Sequence, residues 1–186
     1  MAVVNDRPVN ETLPRVPTDN GYFLWQVRLL PFVDHKELND AIAHPIPWNS
    51  PTNSCLHSQV PHGSKCRNRE ADSSNTTVFA IVLSDSFWRS GPLDHSDITE
   101  CLSCSLVHIE LDLPNVNWMA PTNLALDDLL VILNEYGTLP SPHPDGVVMA
   151  FADESVALIA HDRIAPPFRR AIVLISGCET VQVQWD

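Results

Sequence analysis

Every apolar run in this chain is short and is closed by a turn residue. Thr76–Leu83, Ser105–Leu113, Val147–Ala152, Val156–Ala160, Ala171–Ser176 and Val181–Trp185 all have strand length, and Asp153–Glu154, Pro166–Pro167 and Gly177 punctuate the later ones. The longest apolar run, Ala171 to Cys178, is far below the ~20 residues a membrane helix needs. In Ser105–Leu113 the alternation is clean. Val107, Ile109, Leu111 and Leu113 are expected on one face, with His108, Glu110 and Asp112 on the other. One segment has helical spacing: Leu124, Leu126, Leu129, Leu130 and Leu133, capped by Thr122 or Asn123 and stopped by Gly137. The alanine content of 147–160 leaves a helix open there. The expected fold class is α+β and β-dominated, an antiparallel β-rich core with one or two outer helices.

The remaining segments set the domain organisation. Residues 1–20 carry Pro8, Pro14 and Pro17 among polar residues and read as an extended N-terminal arm. Gly21–Val33, rich in aromatic and branched residues, reads as a strand, and Asp34 can cap a short helix through about Ala43, before Pro45. His44–Asn75 has no period. The expectation is one globular domain over 21–186 with a long irregular loop at 44–75.

With 44% hydrophobic and 18% charged residues in 186, the chain can bury a sizeable core. Its net charge of -12 opposes any general grip on nucleic acid. The opening Met-Ala-Val-Val-Asn-Asp-Arg-Pro lacks the layout of a secretory signal, and five cysteines is an odd number. A soluble, cytoplasmic protein with reduced thiols is the expectation, acting on a small molecule and not at a membrane. Oligomeric state is not legible.

Two residue groups carry metal or acid–base chemistry on their own. Cys55, His57, His62 and Cys66 fall within the irregular loop, followed later by Cys101, Cys104 and His108. Thiolate and imidazole at such spacings can close a tetrahedral zinc site and so order an aperiodic loop. The strand face His108, Glu110, Asp112 projects three polar side chains into one space, suited to proton relay or metal binding.

A third group runs in order along the chain: Trp88-Arg-Ser-Gly-Pro-Leu-Asp-His95-Ser-Asp97, then His161, then Pro166-Pro167-Phe-Arg169-Arg170 leading into Ala171–Ser176. Over about residues 76–176 this resembles the double-stranded β-helix (jelly-roll-like) core of the iron(II)- and 2-oxoglutarate-dependent dioxygenases. The resemblance implies that His95, Asp97 and His161 bind Fe(II) and that Arg170 holds the far carboxylate of 2-oxoglutarate. Two imidazoles and a carboxylate leave three positions open for a bidentate keto acid and dioxygen. Arg169 competes with Arg170 for the inward position, Ile172 stands where the family often has Ser or Thr, and His108 with Glu110 and His161 forms a rival triad. Two other classes stay open: a metal-free cyclase, isomerase or dehydratase working through His and carboxylate groups, and a non-catalytic binding module tied together by zinc. On the oxygenase reading, Asp97→Ala abolishes iron binding, whereas Arg170→Ala spares the metal and weakens 2-oxoglutarate binding. Metal analysis and a keto-acid titration on the two variants check this.

Overall fold

The strand-like runs pair largely as antiparallel partners. In the computed structural model, which describes residues 21–67, 74–82, 86–88, 98, 102–136 and 138–164, six strands form two sheets. They are β1 (Val78–Phe79), β2 (Ile81–Val82), β3 (Leu106–Glu110), β4 (Leu124–Ala125), β5 (Gly146–Phe151) and β6 (Val156–Ala160). The main sheet has the order β1-β3-β5-β6 and is antiparallel throughout, while β2 and β4 pair in parallel. The α+β, β-rich expectation holds. The arm at 1–20 and the runs at 171–176 and 181–185 lie outside the described residues, as does the helix stop expected at Gly137.

β5 and β6 make the longest ladder, from Gly146↔Ala160 to Ala150↔Val156. Asp153 Oδ1 closes their turn, accepting from the Ser155 N–H (2.9 Å) and hydroxyl (2.6 Å) while Glu154 takes φ 72°. Gly146 opens the ladder because any Cβ there would collide with the Ile159 carbonyl oxygen.

β3 departs from the expected alternation. Leu106 pairs with Phe151 and His108 with Ala150, so two steps of β3 oppose one step of β5, a β-bulge. Beyond it the faces exchange. Leu106, Ile109 and Leu111 enter a core with Phe79, Val147, Met149, Phe151 and Ile159. Val107 instead joins Trp25, Trp88, Phe87 and Ala152 in a second core. The expected grouping of Val107 with Ile109 and Leu111 is therefore corrected by one inserted residue.

Gly21–Val33 is not a strand. Trp25–Leu29 is α1, followed by a 3-10 turn over Leu30–Phe32. Within α1 every residue but Arg28 is buried, Gln26 included, which erases the polar face that distinguishes a helix from a strand. Leu24, Trp25 and Leu29 pack into the Trp88 core, and Phe23, Val27 and Leu30 into a third with Trp118 and Met119. The i, i+3 and i, i+4 spacing serves two cores at once.

α2 spans Lys36–Ala41, as expected, but Asp34 does not cap it: φ is 61° there and His35 holds the cap position. α4 spans Leu126–Tyr136 and buries Leu129 in the first core, with Leu130 and Ile132 packed against it and Val131 facing out. It starts later than the leucine spacing suggests, because Leu124 and Ala125 pair with Ile81 and Val82. The Ala125 N–H is then satisfied by Asp128 Oδ2 at 3.1 Å.

The irregular loop is organised by one buried amide. Asn53, fully buried, sits in the single-turn helix α3 (Pro51–Ser54), whose first turn the Ser50 hydroxyl caps. Its Oδ1 accepts from the Ala43 N–H at 2.9 Å. Its Nδ2 reaches the carbonyls of Ala43, Ile46 and Pro47 at 3.0–3.3 Å. Trp118 Nε1 then donates to the His57 carbonyl at 3.0 Å, fastening the next stretch to the third core. Asn53→Ala strands several of these backbone groups, so we expect a loss of about 2–4 kcal/mol in urea unfolding. A loss below about 0.5 kcal/mol would show that the loop is ordered by something else.

Candidate functional site

Three segments that are remote in sequence meet at the outer end of β3. The register Val78↔Glu110 puts Glu110 across from β1, and the Leu111 N–H donates to the Thr77 carbonyl at 2.8 Å. The 62–66 stretch runs beside the start of β1 through Thr77 N–H to the Ser64 carbonyl (3.0 Å) and Cys66 N–H to Thr77 Oγ1 (2.8 Å). From the other side, the Asp112 N–H donates to the Pro140 carbonyl at 3.0 Å, which draws in the turn that carries His143. The Ser141 hydroxyl accepts from the His143 N–H at 3.1 Å.

Those backbone contacts bring Cys66 Sγ, one carboxylate oxygen of Glu110 and one ring nitrogen of His143 within 4.8 Å of one another. His143 Nε2 lies 3.0 Å from Glu110 Oε2 and 3.6 Å from Cys66 Sγ. Cys66 is buried, and the Glu110 and His143 side chains retain 13% and 27% exposure, so solvent approaches from the histidine side.

The same ring nitrogen faces both partners. A nucleophile relay needs the imidazole to bridge through two different nitrogens, one toward the thiol and one toward the carboxylate. Here Sγ, Nε2 and Oε2 converge on a common point. Zinc–sulfur and zinc–nitrogen bonds of about 2.3 and 2.0–2.1 Å at a tetrahedral angle imply an S···N separation of about 3.5 Å. The observed 3.6 Å matches it.

The residues read from sequence are distributed differently. Cys66 and Glu110, expected in two separate groups, share this site. Cys55, His57 and His62 do not join Cys66. Cys55 is exposed, with Sγ 2.9 Å from the Thr52 carbonyl. His57 stacks on Trp48 and contacts its carbonyl, and His62 lies against His35. His108, the first residue of β3 paired after the bulge, is stacked on Trp25 (4.2 Å between centroids) with Trp88 at 5.3 Å. Its ring is taken up by the tryptophans, whereas Glu110 meets Thr77 and His143. His161 occupies a 3-10 turn, its Nδ1 2.8 Å from Thr138 Oγ1. His95, Asp97, Cys101, Arg169 and Arg170 lie outside the described residues, as does the side chain of Cys104. His143 was not legible as a ligand, since Ser-Pro-His-Pro carries no spacing motif.

No protein-family model, curated protein or solved structure matches the chain, so the site stands on its own geometry. No helix among the described residues is long and apolar enough to cross a membrane.

The tryptophan stack has its own pH signature. His108 Nε2 is buried without a hydrogen-bond partner, and burial pushes its pKa down from 6.5 to about 3. A lowered value means the unfolded chain takes up the proton first. Stability is full above about pH 6.5 and falls as the pH drops toward 3. Between pH 7 and pH 5 this costs about 2 kcal/mol. His108→Phe keeps an aromatic ring and removes the proton site, so its urea midpoint should fall less over that interval than the parent's. Equal falls in both would show that the acid sensitivity arises elsewhere.

Proposed function

We propose that this chain is a zinc-binding module in which Cys66, Glu110 and His143 hold the ion and a fourth position stays open to solvent. The observation that carries this reading is the convergence of Sγ, Nε2 and a carboxylate oxygen within 4.8 Å, at an S···N separation suited to a tetrahedral ion. Thiolate, imidazole and carboxylate together favour zinc over magnesium or calcium, which prefer all-oxygen sets. The ion ties the loop at Cys66 to the end of β3 and to the turn at His143, a span of 77 residues between Cys66 and His143. Binding is therefore coupled to folding. The fourth position takes a water or a donor from a partner, and zinc lowers the pKa of a bound water toward neutrality.

A rival proposal is the iron(II)- and 2-oxoglutarate-dependent oxygenase on a double-stranded β-helix, with His95, Asp97 and His161 as ligands. One metal titration separates the two. On the zinc reading, zinc at one hundred times its Kd stabilises the protein by about 2.7 kcal/mol, seen as a rise of roughly 5–10 °C in Tm. Cys66→Ser and His143→Asn remove most of that rise, and Cys55→Ser leaves it intact. Iron binding that survives Cys66→Ser and disappears in Asp97→Ala would favour the oxygenase. A parent protein whose Tm ignores zinc would sink the zinc reading.

A further inference from the structure

Resting on the zinc reading, we infer that Thr77 is the positioning residue that sets how Glu110 meets the ion. Thr77 is buried, and its hydroxyl lies between the other two parts of the site. It accepts from the Cys66 N–H at 2.8 Å and donates to Glu110 Oε1 at 3.1 Å. The direction of the pair follows from chemistry. A backbone N–H only donates, so the hydroxyl oxygen must accept from Cys66, which leaves its one proton for the carboxylate.

That bond occupies Oε1 and leaves Oε2 turned to His143 Nε2. Glu110 thus offers one oxygen to the ion and is withheld from chelating with both. A single carboxylate oxygen beside one sulfur and one nitrogen keeps the site three-coordinate in protein ligands, with room for a fourth donor. The same hydroxyl fixes the backbone of Cys66, so one side chain sets the spacing of a ligand from the loop against a ligand from the sheet. Partners of ligating groups commonly carry roughly 10–100-fold in metal affinity. Thr76, the neighbouring residue, is committed elsewhere: its hydroxyl meets the Ser64 carbonyl at 2.7 Å and receives Gln26 Nε2 at 2.8 Å.

The test uses the full chain with zinc and with cobalt(II) as a spectroscopic substitute. Thr77→Val keeps the branched shape and deletes the hydroxyl, Thr77→Ser restores it, and Thr77→Ala only removes atoms, should the valine variant fail to fold. Expected for Val or Ala is a roughly 10–100-fold weaker zinc Kd by chelator competition. The thiolate-to-cobalt charge-transfer band should persist while the visible ligand-field bands weaken, as released Glu110 chelates with both oxygens and raises the coordination number. Thr77→Ser should regain the parent affinity and spectrum. Val and Ala variants with parent affinity and an unchanged spectrum would overturn the inference, as would a serine variant that falls equally far. A parent that binds neither metal overturns the zinc reading itself, a different result from a parent that binds and variants that do not differ from it.

Discussion

The bulge in β3 is the constraint on which the rest of the molecule depends. Without it, a five-residue strand at the centre of a sheet would send alternate residues to two faces. With it, Leu106 and Ile109 share one core while Val107 and His108 belong to the other. The far side of β3 is then closed by a stack of Trp25 and Trp88 on His108, with Trp88 Nε1 donating to the Val107 carbonyl at 2.6 Å. Past the bulge, Glu110 emerges at the end of the strand beside β1, where the loop and the 140–145 turn approach it.

Polar groups order the irregular segment and join it to that sheet, beside the apolar packing of Leu56, Trp48 and Val60. Asn53 gathers the carbonyls of the 43–47 turn, and the Thr76 hydroxyl joins Ser64, Gln26 and the start of β1. Buried hydrogen bonds of this kind contribute little in net terms when made, yet cost a great deal when one partner is lost. They hold backbone positions closely, as a site built from a loop and a strand requires. Cys66 follows directly from this scaffold, since its N–H and the Ser64 carbonyl bind the oxygen of Thr77 and the Thr77 N–H.

A metal at Cys66, Glu110 and His143 would work with this scaffold. The protein already brings the three donor atoms together by backbone contacts, so an ion would add a cross-link where hydrogen bonds have placed the ligands. Such preorganisation lowers the ordering cost of binding. The acidic balance of the chain, -12, also favours accumulation of cations near its surface.

Periodicity determined much on its own. Short apolar runs with turn residues between them mark β5, β6 and the hairpin joining them, because strand length and turn chemistry are local properties. The leucine spacing marks α4 for the same reason. Two of the three site residues, Cys66 and Glu110, stood out as chemically able, but in different groups, and His143 did not stand out at all. Only the tertiary structure decided that Trp25–Leu29 is helical, that Val107 turns away from Ile109, and that Cys66 meets residues on β3 and a distant turn. Burial of four of its five residues, Gln26 included, removes the periodic signal from α1, and a one-residue bulge reverses faces with no mark in composition. Ligands 33 and 77 residues apart meet only because antiparallel pairing and backbone hydrogen bonds between loops bring them together, and no local pattern encodes a contact at that separation.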